Sequence, residues 1–481
     1  MSVLGTPPGR PDRLETVRHN AHGYWLGEVP AVQAAPELVG DRDADVVVVG
    51  GGYTGMWAAW HIKRLEPEAS VVLLEAERCG YGPSGRNGGF CNVMWFSLPN
   101  MRQRWGDGAA LEVARAAEEA AVGIGEFCKA EGVDAWYRQG GYMQVSTAEA
   151  HDHVWGKALA ACLELGVDDA FESLSSPQVA ERCASPAFRD GVFYPRAATV
   201  QPARLAFGLR ERLRARGVEI CEHSPVRRLH GSWSGVKAHT PGGVVRAKSA
   251  VLAMGSAAKA AGGPFQGRLS VASSHMVLTE PVPELLEEVG WTGGECITDS
   301  RALINYFRTT PDGRIAFGWG GGHIAMGARL HGRSELDPEV IAQTAAHLWE
   351  YFPGLESKAI THAWGGPIDA SPTHLPLVLP LHGNRAFAAA GYTGNGVGPS
   401  HMVGRTLASL ALDRRDAPSN LAFVDPSPPR VPPEPFHWLG GEAIRAGIQR
   451  KEQAELNDRS PDPTSSLLAR IPQLIGFHIG R

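Results

Sequence analysis

The chain has 481 residues, 43% hydrophobic and 20% charged, with a formal net charge of −5. Its length exceeds one simple core, and a prior of roughly 100–200 residues per domain gives two or three domains. The small negative charge is spread along the sequence without a basic block, which excludes a nucleic-acid binder, and no apolar run approaches the ~18 residues needed to span a bilayer.

Residues 1–43 form a polar, proline-containing lead-in whose one hydrophobic spot, Tyr24, Trp25 and Leu26, is expected to dock on the body. The segment DVVVVGGGYTG at 45–55 follows, then a helical stretch at 56–66 and an apolar run at 70–75 that ends on an acid. This is the order strand, glycine turn, helix, strand. Gly50 permits the turn, Gly52 lets backbone approach a pyrophosphate, and Gly55 lets helix and strand pack closely. Tyr53 and Thr54 open the helix, whose free N–H groups and positive dipole favour phosphate. Glu75, twenty residues past Gly55 and followed by Ala76, sits where a carboxylate accepts hydrogen bonds from both ribose hydroxyls. An adenine dinucleotide without a 2′-phosphate is the ligand this spacing predicts.

The small-residue loop CGYGPSGRNGG at 79–89 exposes backbone N–H groups that can cradle phosphate or the edge of a ring. Periodicity predicts a long amphipathic helix over 108–130, a short strand over 140–145, and a helix over 203–216 opened by Thr199 and Pro202. A strand at 218–221 precedes the run 244–255, which reads as a buried parallel strand entering glycine at Gly255 and forming a second dinucleotide-type layer. Short β-type runs at 270–279, 302–308 and 314–318 predict an antiparallel sheet. The chain then returns through WGGPID at 364–369 to a strand and glycine turn, AFAAAGYTGNGVG at 386–398, and a helix over 400–412. That second strand–glycine–helix junction aims another positive helix end at a ligand. A proline-rich connector at 426–435 leads to a helix over 441–456 and an apolar end at 471–479, expected to pack on the protein or on a second subunit.

Other chemistries find no support in the residues. The seven cysteines are scattered without a CxxC pair, as expected of reduced thiols, and neither HExxH nor GxSxG occurs, so no metal site or serine hydrolase is expected. The lead-in lacks a secretory pattern, which makes a cytoplasmic protein the expectation.

Four blocks together, DVVVVGGGYTG, SGRNGG at 84–89, VLAMG at 251–255 and GYTGNGVG at 391–398, resemble the flavin-dependent oxidoreductases of the D-amino-acid oxidase, glycine oxidase and sarcosine oxidase superfamily. Within it, they resemble the γ-glutamylputrescine oxidoreductase-like branch. The resemblance covers about residues 20–415. It implies an α/β fold: an FAD-binding Rossmann-like domain of glutathione-reductase type with a second, antiparallel-sheet substrate domain of α+β type. The implied division gives FAD binding to 44–95, 196–265 and 362–415, substrate binding to 96–195 and 266–361, and an extension to 416–481.

Carried over by position, the resemblance implies that FAD is held by Gly50, Gly52, Tyr53, Thr54, Gly55, Glu75, Ala76, Gly82, Ser84, Arg86, Asn87, Gly88, Gly89, Val226, Ala253, Gly255, Gly394, Asn395, Gly396 and Val397. Only one complete dinucleotide fingerprint is present, so electrons are expected to enter from an organic substrate rather than NADPH. The implied reaction is hydride transfer from the carbon beside the nitrogen of a small amine or amino acid, with dioxygen or another acceptor reoxidising the flavin. His275, Tyr306, Arg308, Trp364 and Tyr392 are the positioning candidates, with Arg308 as a clamp for an anionic group. Asp369 is read as a turn residue, and Cys91 as a buried thiol that leaves FAD non-covalent. Oxidase and dehydrogenase both stay open, as do a flavin monooxygenase and a non-catalytic flavoprotein subunit.

Overall fold

The computed structural model describes residues 17–19, 22–259, 263–327, 329–425, 427–474 and 476–478. Residues 1–16, 20 and 21 of the lead-in, Pro426 in the connector, and Ile475 and Ile479 in the apolar end lie outside the described residues.

Two large sheets organise the chain. In the first, strand Arg42–Val49 lies between Val71–Leu74 and Gly243–Leu252, all parallel, with Glu219–Cys221 extending one side. The four valines of the first strand are buried on both faces, as a central parallel strand requires. Gly243–Leu252 is the third layer strand rather than the start of a separate dinucleotide unit: its first half pairs antiparallel with Gly235–Thr240 on one side, and residues 245–252 pair parallel with Arg42–Val49 on the other. Ala386–Ala390 joins it in parallel, with Leu377–Leu381 antiparallel beyond.

The second sheet has nine strands in a largely antiparallel array, with Ser270–Thr279 between Ile315–Trp319 and Ile360–Ala370 near one end. Residues 364–369 therefore belong to this sheet, pairing along Ser270–Thr279, whereas the sequence division gave 362–415 to the nucleotide layer. The return to that layer comes with Leu377–Leu381 and Ala386–Ala390. Asp107–Glu131 also departs from the division. Its buried face of Ala110, Val113, Ala117, Ala121 and Ile124 joins the same core as helices Tyr53–Leu65 and Val397–Ala411. A cluster of apolar residues at helical spacing gives the helix but not its partner.

Helix Pro202–Ala215 is opened by Gln201, whose side chain accepts from the Arg204 N–H, while Thr199 lies in a two-residue strand. Proline at the first helical position was the legible signal. The four-residue helix Tyr24–Gly27 docks as expected, with Trp25 fully buried beside Trp364. Beyond the connector, Phe436–Glu455 and Pro463–Leu474 form a helix pair. Among the described residues, no helix is long and apolar enough to cross a membrane.

Candidate functional site: a cavity between the two sheets

The glycine turn after the first strand is set by close approach. Gly50 has φ +109°, and a Cβ there would lie 2.3 Å from the Ala253 carbonyl oxygen; at Gly55 a Cβ would lie 2.0 Å from the Gly50 carbonyl oxygen. No larger residue fits either place. Helix Tyr53–Leu65 starts after Gly52, and the Ser84 hydroxyl accepts from the Tyr53 N–H at 2.9 Å. Glu75 bridges the turn, its carboxylate accepting from the Gly51 N–H at 2.6 Å and the Glu77 N–H at 2.9 Å. Burial raises its pKa above the usual carboxylate range, and those backbone donors oppose the rise.

The loop at 79–89 is held from three sides. Glu222, paired with Arg210 in the interior, accepts the Cys79 N–H at 2.9 Å. Trp25 Nε1 donates to the Asn87 carbonyl at 2.9 Å, and Trp364 Nε1 to the Arg86 carbonyl at 2.8 Å. The Asn87 side chain closes the loop on itself, donating to the Pro83 and Ser84 carbonyls and accepting from the Gly89 N–H. Arg86 reaches across to Glu335 at 3.6 Å.

These elements enclose one continuous cavity of about 1570 Å³. One end is lined by Gly50, Gly52, Tyr53, Thr54, Glu75, Ala76, Gly82, Ser84, Val226, Ala253 and Gly255; its middle by Arg86, Asn87, Gly88, Gly394, Asn395, Gly396 and Val397. The far end meets the antiparallel sheet at Ser274, Met276, Tyr306 and Trp364. Gly55 lies behind the turn, and Gly89 behind its loop. Gly396 caps helix Val397–Ala411, so a second set of free N–H groups faces the middle of the cavity.

Of the positioning candidates, Tyr306, Trp364 and Tyr392 line the cavity. Tyr306 shares a 2.8 Å hydrogen bond with Ser274, and burial pushes its phenol up to about 12. Tyr392 shares one of 2.7 Å with Thr54, which ties the late glycine turn to the first helix.

His275 and Arg308 do not reach the cavity. His275 is fully buried on the opposite face of its strand, where Nε2 accepts the Asp337 N–H at 3.1 Å and burial lowers its pKa to about 4. Its neighbours Ser274 and Met276 hold the cavity face, because alternate side chains point to opposite sides of a sheet. Arg308 is 2% exposed and donates to the Val200 and Thr309 carbonyls. It sits behind Gly89, where a Cβ would come within 2.7 Å of its Nη1, so the loop stands between this guanidinium and the cavity. Burial lowers its pKa to about 10. The expected anion clamp is a buried brace.

Asp369 ends in the strand Ile360–Ala370 and ties the late turn by accepting the Gly391 N–H at 2.6 Å; burial raises its carboxyl to about 6. Cys91 is buried away from the cavity in the apolar core, its thiol pushed well up by burial, as expected of an unreactive residue.

Sequence reasoning missed several lining groups. Among the described residues, Asn92 Oδ1 and Ser256 Oγ are buried without a hydrogen-bond partner in residues that line the cavity. Orphaned groups of this kind, with a glycine cradle and two helix starts, fit a polar ligand with an anionic centre. Ser274 and Met276 were legible from strand alternation around His275. Ile444, Arg445 and Ile448 on helix Phe436–Glu455 also line the cavity, more than a hundred residues from the loops they touch, and carried no local signal. Among the described residues no cluster of histidine, cysteine or carboxylate side chains could hold a metal.

A parallel nucleotide layer, a glycine-bound turn, and a cavity running from it to the face of an antiparallel sheet define a dinucleotide-dependent oxidoreductase. The chain belongs to the DAO family of FAD dependent oxidoreductases, which it matches over residues 45–410. It is 28% identical over 410 residues to γ-glutamylputrescine oxidoreductase of Escherichia coli K12, covering 83% of this chain and 89% of that protein. Among solved structures it resembles glycine oxidase from Geobacillus kaustophilus at 19% identity, with a TM-score of 0.63 over 78% of this chain and 96% of that one. L-proline dehydrogenase from P. horikoshii gives 18% identity and a TM-score of 0.64, over 80% and 96%. The fold is thus of the α/β class expected, and the cofactor is FAD.

Proposed function

We propose that this protein oxidises the C–N bond of a small primary or secondary amine or amino acid, giving an imine that hydrolyses to an aldehyde or oxo product. Bound FAD supplies the two-electron acceptor for a hydride from the carbon beside nitrogen. The residues at 50–55, Glu75 and the loop at 82–89 hold its nucleotide portion, and the start of helix Val397–Ala411 offers N–H groups and a positive dipole to the charge gained on reduction. The protein's remaining task is to orient the amine and exclude water.

Met276, Trp364, Ile304 and Ile368 give the sheet end apolar walls, which favour a neutral amine over an ammonium ion. With its pKa at about 12, Tyr306 stays protonated near neutral pH and acts as a hydrogen-bonding group rather than a base. The observation that carries this reading is the single cavity joining the glycine cradle to the sheet face past a second helix start. The amine chemistry is supported by the similarity to γ-glutamylputrescine oxidoreductase. Anaerobic stopped-flow mixing with a panel of amines and amino acids tests it, with bleaching of the flavin band as the expected result. Flavin reduced by NADPH and by no amine overturns it.

A further inference from the structure

The segment matched by the family ends at residue 410, yet the far end of the cavity is walled by residues beyond it. Helix Phe436–Glu455 presents Gly441, Ile444, Arg445 and Ile448, a spacing of three and four that puts them on one face. Three anchors fix that helix over two loops that also line the cavity. Glu442 accepts the Ile324 N–H at 2.7 Å and meets His323 Nδ1 at 2.9 Å. Glu452, 7% exposed, accepts the Ala302 N–H at 2.6 Å. Arg445 Nε donates to the carbonyls of Gly321 and Gly322 at 3.1 and 3.0 Å. The helix is therefore part of the wall.

We propose that helix Phe436–Glu455 completes the substrate compartment and that Arg445 selects amines carrying a carboxylate, an inference that rests on the amine-oxidising reading above. The hydrogen-bond account of the guanidinium carries the argument. Its Nε–H is shared by the two carbonyls, one Nη1 hydrogen goes to Gln449 Oε1 at 3.3 Å, and one Nη2 hydrogen goes to His323 Nε2 at 3.2 Å. His323 can accept there because its Nδ1 hydrogen points to Glu442.

One hydrogen on each terminal nitrogen is then left without an acceptor among the described residues. The Glu442 carboxylate lies 3.9 Å from Nη1 and is committed to Ile324 and His323. Arg86, another arginine on the cavity wall, is paired with Glu335. A guanidinium with donors on both terminal nitrogens, flanked by Ile444 and Ile448, matches the two oxygens of a carboxylate and is strengthened by its apolar setting.

The test uses the FAD-loaded full chain with Arg445→Met and Arg445→Lys. Half-saturation of anaerobic flavin reduction is measured for glycine and a series of ω-aminocarboxylates, and for their primary amides. The expected result is a rise of about tenfold or more for the carboxylates in Arg445→Met, little change for the amides, and partial retention in Arg445→Lys. Equal weakening of acids and amides would mean that Arg445 merely anchors the Gly321 and Gly322 carbonyls, and it overturns the proposal, as does no change at all. If no amine reduces the wild-type flavin, the reaction assignment falls, and titration with acetate and propionate still decides the role of Arg445. A flavin absorbance shift in the wild type that Arg445→Met loses supports the carboxylate site. An equal response, or none in either protein, rejects it.

Discussion

Arg308 and Arg445 show how position decides the use of the same side chain. Arg308 donates to the Val200 and Thr309 carbonyls behind the Gly88–Gly89 loop, and that loop keeps it from a substrate in the cavity. Arg308→Met is expected to leave KM for carboxylated amines within about twofold in steady-state assays, because it removes no ground-state contact. A large rise in KM with unchanged flavin content would return it to the site. Glu75 makes the opposite case, since its carboxylate fastens the glycine turn that lines the cavity. Glu75→Ala should weaken FAD binding by ~1.5–3 kcal/mol, the cost of charge-assisted hydrogen bonds, measured by titrating apoprotein with FAD. Both arginines look alike in sequence; only the glutamate carried a spacing that located it.

At the level of elements, the strand–turn–helix unit tolerates no added atom. A Cβ on Gly55 meets the Gly50 carbonyl oxygen at 2.0 Å, so Gly55→Ala is expected to cost ~1–3 kcal/mol in urea unfolding and to lower the flavin-to-protein absorbance ratio. An unchanged ratio would refute this. Helix Phe436–Glu455 carries its own titration: burial raises the Glu452 carboxyl to about 7. Because that pKa lies above the unfolded value, its contribution is full at low pH and is lost as pH rises through 7. Glu452→Gln keeps an acceptor for the Ala302 N–H without the ionisation. Across pH 5 to 7, Tm of the variant should therefore rise relative to that of the wild type. The four core elements of the nucleotide layer were legible because periodicity and glycine spacing are local. The cap at Gln201, and the partners of Asp107–Glu131 and Phe436–Glu455, depend on residues distant in the chain.

Across the whole molecule, buried imidazoles set the response to acid. Burial holds His275 near 4, His347 and His401 near 3, and His61 well below its ordinary value. Below about pH 6.5 the unfolded chain takes up protons that the folded chain refuses, and stability falls. Asp369, near 6, and Glu452, near 7, act in the opposite sense, but the histidines outnumber them. Tm of the holoprotein is expected to drop steadily from pH 6.5 to 4.5 by calorimetry; a flat profile would show that those imidazoles are open to protons.

The sequence by itself determined the glycine turn, the acid just past the second strand, the two helix starts and the antiparallel character of the second sheet. Each follows from steric rules acting over a few residues. The tertiary structure decided which face of Ser270–Thr279 meets the cavity, that the Gly88–Gly89 loop stands in front of Arg308, and that a helix beyond residue 435 closes the far end. Those outcomes turn on which distant surfaces pack together, and a one-residue change of face or a single intervening loop is enough to move a side chain from ligand to core.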